Sequence, residues 1–175
     1  MTNVYDKKTI ALHWLSALLI IGLWCAGQSI DWFPKGTPRV WIRSLHILFG
    51  TLLAITIVYR LWWRATAGTK LPPAATGWQQ TVAKSTHHVL YLVIISTVLL
   101  GLFNTWVRGD NLFDLFRLPE FDPGNKDLRQ EVEDLHGLAA NILLAIAAFH
   151  AAAGLAHHFI LKDSVLSRML PGKKS

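Results

Sequence analysis

The chain has 175 residues, of which 52 % are hydrophobic and only 16 % are charged, against about a quarter charged in an ordinary soluble domain. That balance excludes a disordered or fibrous chain and a typical soluble enzyme, and the single cysteine, Cys25, excludes an internal disulfide framework or a Cys-rich metal site. The net charge is +6, but the cations punctuate apolar runs instead of massing on one face, which is the pattern of a membrane protein and not of a nucleic-acid binder.

Four stretches carry few or no charges: about Ile10 to Ile30, Leu45 to Trp63, Val89 to Val107 and Leu135 to Leu161. Each approaches or exceeds the ~20 residues a helix needs to cross the hydrocarbon core. The first follows Lys7 and Lys8 but is too long for a signal peptide and has no small-residue cleavage site after it, so it reads as a first transmembrane helix. The expected architecture is a single all-α membrane domain over residues 1–175, a four-helix bundle with polar connections at Asp31–Ser44, Arg64–Ser85 and Arg108–Asp134. Lys and Arg number ten on the side of both termini and the second connection, Lys173 and Lys174 included, against seven on the other side. The positive-inside rule then puts both termini in the cytoplasm. Trp32, Trp41, Trp62, Trp63, Trp78 and Trp106 fall near span ends, as belt residues do.

The eight histidines are the informative residues, because an ionisable side chain in a membrane span is expensive. His136 and His150 lie fourteen residues apart on the fourth span. Fourteen residues is close to four turns, so both side chains project from nearly one face, about 21 Å apart along the axis. That is too far for one metal ion and suits two stacked haems, one near each membrane surface. Each needs a second axial ligand at matching depth: His46 matches His136 at the outer level, and His13 matches His150 at the inner level. The residue one turn on from each is small: Ala17, Gly50, Ala140 and Gly154. After His87, His88, His157 and His158 it is Tyr91, Leu92, Leu161 and Lys162, and these four histidines read first as interface side chains. A zinc or copper transporter would want ligands clustered at one depth with carboxylates or thiols, and the spans carry none centrally.

The stretches IALHWL, SLHILFG, VYRLWWR, HHVLYL and FHAAAGLAHHFILKDSVLSRMLPGKKS resemble the bacterial di-haem cytochrome b561 family over essentially the whole chain. That family sits in a wider group with the membrane cytochrome b subunits of hydrogenases and formate dehydrogenases. The resemblance implies a four-helix bundle enclosing two b-type haems, with His13 and His150 as iron ligands of the inner haem and His46 and His136 as those of the outer one. It further implies a superoxide oxidase of the bacterial inner membrane, which takes electrons from superoxide at the periplasmic side and passes them through both haems to ubiquinone. Periodicity and charge reach the topology and the fourteen-residue spacing independently; they do not by themselves establish haem.

Superoxide is an anion, and Lys35, Arg39 and Arg43 before His46, with Arg108, are candidates to attract it. The acidic third connection argues against a positive funnel over that whole face, so it must fold aside or the funnel must be local. Haem propionates also need cations: Arg60 and Arg64 are candidates at the inner level and Arg43 at the outer. The quinone site is poorly marked. Trp78, Gln79, Lys84, His87 and His88 are candidates at the inner side, His87 also at the haem edge, and Gln28, Ser29 and Trp32 at the outer. Bis-histidine ligation leaves no open position on iron, which fits outer-sphere, one-electron chemistry. The expected partners are superoxide, ubiquinone and the lipid bilayer, with no nucleic acid and no obligatory protein partner. The alternative is an electron-transfer subunit linking a periplasmic dehydrogenase or hydrogenase to the quinone pool; a histidine-bearing transporter or scaffold is a further one.

Overall fold

The computed structural model describes residues 4–74 and 76–171. Four long helices make up most of them: α1 (Lys7–Ser29), α2 (Thr37–Thr66), α3 (Gly77–Arg108) and α4 (Lys126–Phe159). All four are long and apolar enough to cross a membrane. Large apolar side chains cover their outer faces; Phe149 is 78 % exposed and Leu18 68 %. A soluble monomer does not present so much apolar surface. The chain is a multi-pass membrane protein whose lipid-facing surface is the surface of the bundle.

Each helix opens before its apolar stretch, and α2 and α3 also run past its end, whereas α1 stops one residue short of Ile30 and α4 two short of Leu161, because hydropathy marks where a helix meets hydrocarbon while local chemistry sets where it ends. α1 is capped by Asp6, whose side chain accepts from the Thr9 N–H at 2.9 Å and the Thr9 hydroxyl at 2.7 Å. α2 opens at Thr37 rather than Leu45, with Pro38 in its first turn. α3 opens at Gly77 and stops at Gly109, a left-handed residue at φ 57°, where a side chain would be strained. α4 opens at Lys126, with the Asn125 side chain accepting from the Leu128 N–H at 3.0 Å.

α1 packs along α2 and α3 along α4, while α1 and α4 touch little. The apolar centre is Leu53, Ile57, Ile94 and Leu143, with Leu19, Leu23, Leu90 and Tyr91 packed against it. Buried hydroxyls in the helices are satisfied without leaving the helix: Ser16, Thr56 and Thr97 each donate to the carbonyl four residues back.

Between α3 and α4 a two-stranded hairpin, β1 (Asn111–Leu112) and β2 (Phe116–Arg117), folds over one end of the bundle. Its turn puts Phe113 and Asp114 at positive φ, 55° and 58°. Such a backbone is costly for Phe and is held from outside. Ser44, fully buried, accepts from the Phe113 N–H at 2.9 Å, and Trp41 meets the Phe113 ring edge-on. At the opposite end, here the termini end, residues 164–170 fold back onto the bundle. Arg168 is buried and donates to the Pro72 carbonyl, while Trp14 donates to that of Met169. Asp6 ties the same end together, accepting also from the Trp63 indole at 3.1 Å and the Thr69 N–H at 2.9 Å.

Candidate functional site

Two pairs of imidazoles face each other inside the bundle, one near each end. At the hairpin end, His46 of α2 and His136 of α4 have ring centres 6.1 Å apart with planes at 89°. At the termini end, His13 of α1 and His150 of α4 are 6.3 Å apart at 71°. The apolar centre lies between them, Leu143 falling midway between His136 and His150.

The hairpin-end pair is braced from α1 and α3. The backbone at Gly101 comes so near His136 that a Cβ there would lie 2.9 Å from Cε1. A Cβ on Gly27 would lie 3.3 Å from Cε1 of His46. His136 Nδ1 donates to the Thr97 carbonyl at 3.1 Å, which leaves the lone pair on Nε2. His46 Nδ1 is buried without a hydrogen bond of good geometry, and the Leu23 carbonyl lies towards it. These imidazoles open onto a cavity of about 250 Å³, whose walls include Gly50, Gly101, Gly137 and Ala140.

A charged layer sits one turn beyond the histidines, because Arg43 precedes His46 by three residues and Glu133 precedes His136 by three. Arg108 pairs closely with Glu133 and stands 3.5 Å from Asp110, and Arg43 stands 3.8 Å from the same Asp110 oxygen. Asp110 is 7 % exposed. Burial pushes its carboxyl above the ordinary carboxylate range, against the pull of Arg108 and Arg43.

The cations that sequence grouped before His46 are therefore in three different situations. Lys35 is exposed, with no carboxylate partner among the described residues. Arg39 is turned onto Asp31 at 3.0 Å and the Phe33 carbonyl at 2.7 Å. Arg43 faces inward to Asp110. Part of the acidic third connection is folded into the site: Asp110 and Glu133 line the cavity with Arg43 and Arg108.

At the termini end, Arg60 reaches across from α2 and its Nη2 lies 2.9 Å from His13 Nδ1, with its guanidinium over the Tyr91 ring at 5.6 Å. His87 is 5.5 Å from His150, nearer than His13 is, but its Nδ1 donates to the Ala83 carbonyl at 2.6 Å. His88 donates to Lys84, and His157 sits 2.5 Å from Asp163. That contact, with the Val165 N–H, holds the Asp163 carboxyl below its ordinary range. Of the quinone candidates, Gln28 lines the cavity and Ser29 donates to the Ala26 carbonyl, while Trp32 and Trp78 are exposed.

Sequence reasoning missed Gly27, Gly101 and Thr97, which hold the rings, and the embrace of Asp110 by Arg43 and Arg108. A lone glycine inside an apolar helix was the available signal for Gly101.

The arrangement passes a geometric test for haem. A metal–imidazole bond of about 2.0–2.1 Å on each side, plus about 1.1 Å from nitrogen to ring centre, separates two axial rings by about 6.3 Å. Both pairs lie close to that span, and His87 stands nearer to His150, at 5.5 Å. No group of three His, Cys, Asp or Glu side chains converges as a metal-ion site among the described residues.

The family model described as prokaryotic cytochrome b561 matches residues 4–172. The chain is 30 % identical to "Cytochrome b561 homolog 1" of Escherichia coli strain K12, over 98 % of this chain and 99 % of that protein. It is 28 % identical to "Probable superoxide oxidase CybB" of Yersinia pestis over 99 % of both. It is 29 % identical to "Cytochrome b561 homolog 2" of Escherichia coli strain K12, over 98 % of this chain and 93 % of that protein.

Proposed function

Since the chain belongs to the prokaryotic cytochrome b561 family, whose proteins bind b-type haem and transfer electrons in membranes, we propose that it is a di-haem superoxide oxidase that delivers the electrons to ubiquinone. The observation that supports two haems is the pair of ring separations, 6.1 and 6.3 Å, each close to the span expected for two imidazoles on one metal. The Yersinia relative's name supplies the substrate.

His46 and His136 would hold the haem at the hairpin end, and His13 and His150 the one at the termini end. When bound, such haems supply one-electron transfer with no open coordination position. The remaining work falls to this chain's residues. Thr97 fixes the tautomer of His136. Gly50 and Gly154, with nothing within 4 Å of a Cβ, leave room one turn from His46 and His150. Arg43 and Arg108, which line the cavity beside Asp110 and Glu133, would be the cations available to propionates at the hairpin end. Arg60, whose Nη2 lies 2.9 Å from His13 Nδ1, would be the one at the termini end, where it would pair with a propionate carboxylate.

Superoxide loses one electron to become oxygen, with no bond to break. Two superoxide ions, one ubiquinone and two protons give two oxygen molecules and one ubiquinol. Lys35 guides the anion, with Arg39 and Arg43 adding to the field only as far as Asp31 and Asp110 leave them unbalanced. His87, with Nδ1 committed to Ala83, keeps Nε2 for a quinone oxygen. The cation count supports an orientation with the termini in the cytoplasm and the hairpin in the periplasm of a bacterial inner membrane; Lys173 and Lys174, part of that count, lie outside the described residues.

The neutralised Arg43 and Arg108 favour a second reading, an electron-transfer subunit serving a periplasmic dehydrogenase or hydrogenase. A steady superoxide flux over the purified protein decides between them. Haem bands that reduce under superoxide and reoxidise on adding ubiquinone support the oxidase. Bands that answer quinol but not superoxide support the subunit.

A further inference from the structure

Asp110 stands apart from the other acids of the molecule. It follows the Gly109 cap, which turns the chain back over the hairpin end, so a carboxylate from a connection is buried in the wall of the cavity that His46 and His136 share. Charged groups approach it from every side. Arg43 of α2 stands at 3.8 Å and Arg108 of α3 at 3.5 Å. Glu133 of α4 takes the closer contact with Arg108. From the connection after α1, Asp31 lines the same cavity and is held by Arg39. Arg117 of the hairpin spends its Nε on the Gly109 carbonyl, and Glu120 is paired with Arg129.

Two guanidiniums therefore meet two carboxylates, and Asp110 is the worse served of the two. The layer is balanced before any further negative charge arrives. Haem propionates would bring negative charge to it, and an electron held at the His46–His136 site would bring more. A unit charge within about 10 Å, at an effective dielectric near 20, changes a proton affinity by roughly tenfold. The carboxyl that responds is the one that is buried, already raised by its burial, and held only by long contacts.

We propose that Asp110 is a proton-binding site coupled to electron entry at the hairpin end. One proton from water on that face bonds to the Asp110 carboxylate when an electron arrives, and the same O–H bond breaks and the proton returns when the electron leaves. Net charge in the buried layer then stays constant through the cycle. The inference rests on the assignment of His46 and His136 to a haem.

The test is a spectroscopic redox titration of the haem-loaded protein from pH 5 to pH 9, with proton uptake followed by an indicator dye. The reduced state holds the proton more tightly, so the midpoint of the hairpin-end site falls as pH rises between the two proton affinities. Asp110→Asn flattens that dependence and abolishes the uptake. Glu133→Gln raises the midpoint but keeps the slope, because Asp110 remains. Asp110→Glu keeps the slope and moves its window, which covers the case in which the asparagine variant does not fold. No uptake by the wild-type protein, or an unchanged slope in Asp110→Asn holding both haems, overturns the proposal alone. A wild-type protein with fewer than two haems, or a His136→Ala variant that loses none, overturns the assignment beneath it.

Discussion

Gly101→Ala tests the hairpin-end site through a single methyl group. The added Cβ lies 2.9 Å from His136 Cε1, where carbon atoms prefer about 3.5–4.0 Å. The imidazole and the helix must therefore separate by about 0.6 Å or more. Movement strains the bond from Nδ1 to the Thr97 carbonyl. Overpacking of this kind costs about 1–3 kcal/mol, and a weakened hydrogen bond adds about 0.5–1.5 kcal/mol. If that falls on haem affinity, the hairpin-end site weakens by roughly tenfold to a thousandfold, at about 1.4 kcal/mol per decade. The assay is the haem-to-protein ratio after purification, with the reduced-minus-oxidised spectrum resolved into two components. One component is lost and the other kept. Gly22→Ala, with nothing within 4 Å of its Cβ, serves as control. A Gly101→Ala protein with two haems per chain and wild-type bands would refute the reasoning.

Alanine at His13, His46, His136 or His150 is expected to halve haem content, whereas His87→Ala keeps both haems and slows quinone reduction; haem extraction and quinone kinetics separate the two. Ser44→Ala leaves the Phe113 N–H unpaired beneath the hairpin and is expected to cost about 1–3 kcal/mol in thermal unfolding in detergent. At Asp6, burial raises the carboxyl, but bonds from Thr69, Thr9 and Trp63 outweigh it and hold the group well below its ordinary range. A depressed carboxyl stabilises the fold above its unfolded value of about 3.9 and loses that contribution as pH falls. Wild-type melting temperature should therefore drop below pH 4 more than that of Asp6→Asn, which still caps the helix. Lys35→Glu is expected to lower the rate of superoxide oxidation by up to about tenfold at low salt, with the deficit shrinking as ionic strength rises.

The membrane bundle was legible in the apolar runs, and the two levels of histidine in the fourteen-residue spacing on α4, because a helix converts spacing directly into depth. Gly50 and Gly154 were legible for the same reason. Gly101 was not, since α3 carries neither His136 nor His46 and nothing local says which of its faces meets them. The contact between Arg43 and Asp110 spans 67 residues and depends on where Gly109 turns the chain. Arg39 and Arg43 looked alike in sequence, yet a helix rotates residues four apart by 40° and moves them one turn, enough to send one to Asp31 and the other to the cavity.

The oily middle of the bundle has an electrical meaning. Leu53, Ile57, Ile94 and Leu143 form an apolar layer between the two imidazole pairs, where moving a charge is far more costly than in water. Charge that crosses from His136 to His150 travels about 21 Å along α4, roughly two-thirds of a hydrocarbon core about 30 Å thick. It therefore crosses most of the voltage drop of the membrane. A full crossing is worth about 2.3 kcal/mol per elementary charge per 100 mV, so this partial one is worth about 1.6 kcal/mol. If electrons enter at the hairpin end and leave at the termini end in the proposed orientation, a cell interior at negative potential opposes each of them by that amount, and an energised membrane would act as a brake on the flow.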